Sequence, residues 1–290
     1  MSTSLKEKTW QPSQNRPAGW LLTLSGFLIF VSSAVVAIIA RSAGDSEDWL
    51  MLLVVVMFFG GAVMVVYGKR HLTLSADVVL ARDTRPPIIY LRSFDIETGS
   101  FGLSAYFSSV GTAFTNRSMG WGVSPWDPTF QTQLSLVMGR IGPYIAVGRP
   151  GEKLPGTGAA RLYIPDSEWQ QRVTELIRRS RLVVIRAGSS PGLQWELDNL
   201  MRHVRPRQLL VLLPASRDTY RSFRELMEKR NIPLPEKQPD ALLMTFLDDW
   251  KPVFLKAGGN LESTLDPYFR ANSIPTPKHS AWDAVRLFFR

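Results

Sequence analysis

The sequence predicts an α/β protein in which two transmembrane helices lead into a doubly wound parallel-sheet domain. Three observations carry that prediction: two uncharged apolar runs near the N-terminus, a later alternation of short apolar runs with amphipathic stretches, and Gly, Pro, Asp and Ser punctuating the alternation. The expected organisation is a tail over 1–19, a helical hairpin over 20–67, a juxtamembrane connector over 68–87, and an α/β domain over 88–290 with an insertion at 99–126.

The two runs are Trp20 to Ala40 and Trp49 to Tyr67, roughly 21 and 19 residues long, enough for a hydrocarbon core about 30 Å thick. A cleaved signal peptide has a shorter apolar stretch and is not followed at once by a second full-length run. Lys6, Lys8 and Arg16 precede the first run, and Lys69, Arg70, Arg82 and Arg85 follow the second. The loop between them holds Arg41 against Asp45, Glu47 and Asp48. Basic residues are retained on the cytoplasmic side, so a multi-pass protein with two spans and both termini cytoplasmic is expected. Trp20, Trp49 and Tyr67 sit at span ends, where an amphipathic ring suits the headgroup level. Gly60-Gly61 permits close helix contact, but its small-residue spacing is partial, and a lipid-facing position is the expectation.

Composition narrows the chemistry. The chain has no cysteine, which excludes thiolate nucleophiles, thiolate metal sites and disulfides. His71, His203 and His279 are scattered without ligand spacing, so no metal centre is expected. The net charge of +9 belongs to the part after the spans, because the first 48 residues carry four basic and four acidic side chains. Apposition to anionic lipid accounts for that surplus, as does an anionic ligand such as a dinucleotide. No nucleic-acid-binding motif is visible, and no nucleic-acid partner is expected.

In the α/β domain, Pro86-Pro87 ends the connector and Ile88 to Leu91 reads as a strand buried in a parallel sheet. The segment 99–126 is rich in Gly, Ser and aromatic residues and reads as a lid, an interaction loop or a membrane-dipping element. Asp127 and Pro128 open a helix to about Arg140, and Tyr144 to Gly148 is the next strand. After a Gly/Pro-rich loop over 149–158, Asp166 caps a helix to about Arg179 with the stripe Trp169, Val173, Leu176 and Ile177. Strands follow at Leu182 to Ile185, Leu209 to Leu213 and Ala241 to Leu247, with a short extra one at Val253 to Leu255. Helices are expected at Leu193 to His203, from Asp218 to near Arg230, and from about Ser280.

Ligands of such sheets bind beyond the carboxyl ends of the strands. The loops at Ser93 to Glu97, Arg149 to Gly158 and Ala187 to Gln194 should therefore converge on one cleft. The candidate site is Arg92, Ser93, Asp95, Arg149, Glu152, Trp195 and Glu196. Residue by residue, bland roles compete: Glu196 can complement a helix dipole, Trp195 can anchor a core, and Asp95 can turn the chain. Neither G-x-x-x-x-G-K-S/T, G-x-G-x-x-G nor G-x-S-x-G occurs, which argues against the nucleotide folds and serine hydrolases that carry them.

The order of these features resembles the Toll/interleukin-1 receptor (TIR) domain superfamily over roughly Ile88 to Leu213, a flavodoxin-like arrangement. Ile-Tyr-Leu-Arg-Ser-Phe-Asp at 89 to 95 looks like its first strand and polar loop. Arg149-Pro150-Gly151 looks like the tip of its interaction loop, and Ser190 through Glu196-Leu197 looks like the segment that brings a glutamate on the third helix. In the pattern S-x-W-C-x-x-E, Gly192 stands where the tryptophan would be, and Trp195 immediately precedes Glu196. The resemblance implies a membrane-anchored signalling or interaction module that self-associates or meets other TIR-like domains. It also implies that Glu196 is catalytic in cleaving NAD, which is substrate rather than cofactor. A carboxylate beside the reacting ribose would stabilise developing positive charge, and Arg92 or Arg149 would neutralise the pyrophosphate. The alternative is a non-catalytic scaffold or a sensor of an anionic nucleotide at the membrane.

Overall fold

The computed structural model describes residues 12–42, 48–91, 128–148, 154–155, 158–255 and 261–276. They fall into two compact units, one holding 12–73 with 154–155 and the other holding the rest.

The first unit is a pair of helices, α1 (Arg16–Ser42) and α2 (Asp48–Leu72), each long and apolar enough to cross a membrane. Both extend beyond the expected apolar runs, because Arg16 to Gly19 and Gly68 to Leu72 continue the helical turns into polar sequence. Gly19, Thr23, Gly26 and Ser33 are the buried residues of α1, and their spacing places them on one face. Against them lie Gly61 and Gly68 of α2. A Cβ added at Gly26 would come within 2.7 Å of the Gly61 carbonyl oxygen, and one added at Gly61 within 2.6 Å of the Gly26 oxygen. The backbones therefore touch, which small residues alone allow. Gly61 is thus in the seam and not facing outward as expected, whereas a Cβ at its neighbour Gly60 would meet nothing within 4 Å. Hydroxyls in or near the seam return to their own helix: Thr23 donates to Gly19 O at 2.8 Å and Ser33 to Phe30 O at 2.6 Å. Leu154 and Pro155 belong to this unit too, their carbonyls accepting from the Arg70 guanidinium at 2.7 and 3.1 Å.

In the second unit, the connector is not wholly irregular. It contains α3 (Ala76–Arg82), after which Pro86 and Pro87 set up β1 (Ile88–Leu91) as expected. The chain continues through α4 (Pro128–Ile141), β2 (Tyr144–Val147), β3 (Ala160–Leu162), α5 (Trp169–Arg179), β4 (Leu182–Arg186) and α6 (Pro191–His203). It ends with β5 (Leu209–Leu212), α7 (Arg217–Glu228), β6 (Leu243–Phe246), β7 (Pro252–Leu255) and α8 (Leu261–Ala271).

The seven strands form one sheet in the order β3-β2-β1-β4-β5-β6-β7. The first five are parallel; β6 pairs antiparallel with β5 and β7 antiparallel with β6, so β6 alone runs against the rest, a departure from the all-parallel expectation. The cause lies in the segment between α7 and β6, where Pro233, Pro235 and Pro239 forbid another helical crossover. That segment is pinned by Tyr220 Oη donating to Pro235 O and Gln238 Nε2 donating to Pro214 O. It delivers the chain to the carboxyl end of β5, where Leu213 N bonds Leu242 O, so β6 starts there and runs back.

Strand residues alternate between two cores. Ile89, Leu91, Ile145, Val183, Ile185 and Val211 pack with Val173 and Ile177 of α5, Leu193, Leu197 and Leu200 of α6, and Tyr220 and Phe223 of α7. Ile88, Tyr90, Val184, Leu210 and Leu212 pack with Leu134 and Met138 of α4 and Leu265 and Phe269 of α8. Both faces are covered, which explains why the strands read as continuous apolar runs.

Besides α3, two further elements have no counterpart among the expected ones. β3 is three residues long and follows a Gly/Pro-rich stretch, and its outer edge is met by a bridge from Ser75 to Arg161. α8 supplies Leu265, Tyr268 and Phe269 to the second core. Two expected caps move as well: Ser216, not Asp218, caps α7, and α5 begins after Glu168 without a side-chain cap bond. The insertion 99–126 and the helix expected from about Ser280 lie outside the described residues.

Candidate functional site

The chain leaves β1 towards β2 and β3, then crosses back to β4 and β5 on the other side of β1. The direction of winding reverses between β1 and β4, whose last residues are Leu91 and Arg186, and ligands of open α/β sheets bind beyond the carboxyl ends at such a switch. From β4 the buried Ala187 and Gly188 lead to Ser190, whose hydroxyl accepts from Leu193 N at 3.3 Å and caps α6, with Pro191 in the first turn.

Glu196 follows in the second turn of α6. At 100° per residue, its side chain leaves the helix between the residues facing the sheet, Leu193, Leu197 and Leu200, and those facing α5. The α5-facing residues are identified by contacts. The Trp195 ring lies 4.7 Å from that of Trp169, Asn199 Nδ2 donates to Thr174 Oγ1 at 2.8 Å, and His203 Nε2 lies 2.9 Å from Arg178 Nη2. These three contacts advance together along both helices, so α5 and α6 run side by side in parallel.

Glu196 is 5% exposed, and its Oε2 has no hydrogen-bond partner among the described residues. Burial pushes its carboxyl up to about 8, because the charged form loses its hydration without an opposing cation or donor. This replaces the bland expectation of an exposed carboxylate resting on a helix dipole. A neutral carboxyl at pH 7 inside a domain is costly to hold, and such groups concentrate at sites that use them. No family model, curated protein or solved structure matches the chain.

Of the expected site residues, Trp195 and Glu196 are adjacent at the carboxyl side of the sheet, with Trp195 half-buried. Arg92, Ser93, Asp95, Arg149, Pro150, Gly151 and Glu152 lie outside the described residues. Gly192 stands at the exposed start of α6, and a Cβ there would meet nothing within 4 Å. Among the described residues, no three His, Cys, Asp or Glu side chains come together in a way that could hold a metal ion.

Two buried cations were missed. Arg186 is the last residue of β4 and 3% exposed; the sequence reading stopped that strand at Ile185 because the apolar run stops there. Its signal was the chain's direct passage from an apolar strand into Arg-Ala-Gly. By strand alternation, Arg186 projects to the face opposite α6. Arg161 is the middle residue of β3, also buried, on the same face as Arg186 by that alternation. Its only signal was the Ala160-Arg161-Leu162 alternation, too short to register.

Proposed function

We propose that this protein is a two-span, membrane-anchored TIR-like module whose α/β domain lies in the cytoplasm, self-associates, and cleaves NAD with Glu196 as the catalytic carboxylate. The observation that carries the proposal is the buried carboxyl of Glu196 without a described partner, on the helix that follows the switch in winding.

The membrane half is supported by exposure. Leu21, Leu28, Ile38 and Leu52 are each more than 60% exposed, an apolar surface that water disfavours and lipid accepts. The difference in basic residues between the flanks and the connecting loop sets the orientation. An Asp45→Cys variant offers the only thiol in the chain, and an impermeant maleimide should label it from outside intact cells. Protection there would reverse the orientation.

In the proposed reaction the bond between nicotinamide and ribose breaks and its electron pair leaves with the ring, giving neutral nicotinamide. Positive charge develops on the ribose, water adds to the anomeric carbon, and the water proton passes to the carboxylate or solvent. Ionised Glu196 stabilises the developing cation across a short, poorly hydrated gap, where a charge interaction is stronger than in water. The nicotinamide ring of NAD is itself cationic, so its arrival favours ionisation of Glu196 and loss of the proton held in the empty site.

The test is to incubate the full-length protein, clustered in vesicles, with NAD and to measure free nicotinamide. Wild type should release it and Glu196→Gln should not. Equal release by both, or none by wild type in the clustered state, would remove the enzymatic half of the proposal.

A further inference from the structure

The seam between α5 and α6 changes character along its length. Lower down it is closed by polar contacts, Thr174 with Asn199 and Arg178 with His203. At its mouth stand two half-buried indoles, Trp169 and Trp195, in contact at 4.7 Å and tilted by 46°. Both rest on the core below them. Trp195 is covalently next to Glu196, and α6 turns that carboxyl into the angle between α5 and the sheet, the side on which Trp169 stands.

A packing role alone would account for one face of each indole. It does not account for the buried Glu196 Oε2 without a described partner on the neighbouring residue, since a buried polar atom without a partner is destabilising and a methionine or leucine would fill the same volume. A cation-stabilising carboxyl and a pair of flat, electron-rich rings suit one class of ligand: a planar heteroaromatic ring bonded to a sugar.

We propose that Trp169, with Trp195 behind it, is the stacking platform for the planar heteroaromatic ring of the ligand acted on beside Glu196. This inference rests on the NAD reading and extends it to a residue that the sequence pattern assigns to the core stripe of α5.

The experiment uses the full-length protein in nanodiscs and saturation-transfer NMR with two probes, nicotinamide mononucleotide and AMP, which separate the two ring-bearing ends of a dinucleotide. Wild type should transfer saturation to the ring protons of one probe. Trp169→Ala should abolish that transfer and raise KM for NAD roughly tenfold, the scale of one base–aromatic stack, while kcat stays within about threefold. Trp169→Phe keeps a flat ring and should restore most of the effect. Thermal melting of each variant in nanodiscs establishes that it is folded. Ring signals absent from wild type, or a folded Trp169→Ala with unchanged ring signals and KM, would overturn the inference. Ring signals without nicotinamide release would instead overturn the NAD-cleavage reading and leave the platform standing.

Discussion

Two helix pairs in this protein solve the packing problem in opposite ways. Between α1 and α2, glycines bring the backbones together, and Thr23 and Ser33 satisfy their hydroxyls within their own helix. Between α5 and α6, bulky indoles hold the helices, and a carboxyl goes inside without a described partner. The first seam satisfies the hydroxyls of Thr23 and Ser33 within their own helix, whereas the second leaves Glu196 Oε2 without a described partner. On the proposed function that difference separates a structural contact from a reactive one, since an unsatisfied buried group persists only where its surroundings hold it in place.

The largest expected effect is on turnover. Glu196→Gln keeps the shape and removes the charge, and should lower nicotinamide release by a factor on the order of 100 to 10,000, the range usual for loss of a positioned carboxyl. For wild type, kcat/KM reports the free enzyme, in which Glu196 stays protonated up to about 8. The profile should therefore climb through neutral pH and level off above about 8, and a flat profile from pH 6 to 9 would sever Glu196 from the rate.

Next comes stability. In the unfolded chain the carboxyl titrates near its ordinary value of 4.5, while in the fold it holds its proton to about 8. Below the lower value both states are protonated and nothing is lost. Between the two the unfolded chain binds fewer protons, so stability falls as pH rises, and above about 8 the loss is complete. At about 1.4 kcal/mol per pH unit, Glu196→Gln should be more stable than wild type by about 3 kcal/mol at pH 7, with little difference at pH 4. Thermal melts across that range decide it, and a variant less stable at neutral pH would mean that Glu196 serves the fold.

Smaller effects belong to the hairpin. Gly61→Ala drives a methyl into the facing backbone and should cost about 1 to 3 kcal/mol in detergent-titrated unfolding. Gly60→Ala, one residue away in open space, should be neutral or stabilising by no more than about 1 kcal/mol. Equal effects of the two would mean that the seam is not where the structure puts it.

Much of this architecture was legible in the sequence, for reasons that also explain what was not. The apolar helices announce themselves by length and lack of charge, and the strands at 88, 144, 182 and 209 because they are buried on both faces of the sheet. Ser190 and Pro191 mark the start of α6 through local chemistry. β3 did not announce itself, because three residues carry too little periodicity, and the reversal at β6 was hidden because it depends on where a proline-rich connector delivers the chain. Gly60 and Gly61 are indistinguishable by type, and only the rotation of α2 sorts them. Glu196 was singled out by its place after the β4 loop and given a catalytic role by the resemblance, while its burial is a tertiary outcome that no local sequence signal encodes. Trp169 was read correctly as part of a buried stripe, but nothing in that stripe reveals that its ring meets Trp195.

The most direct test of the central claim counts protons. Calorimetric titration of the full-length protein at pH 7 with an uncleavable NAD analogue, repeated in buffers of different ionisation enthalpy, gives the number released on binding. Wild type should release close to one proton and Glu196→Gln none. Equal proton counts for the two proteins would contradict the assignment of Glu196 as the carboxyl that meets the substrate.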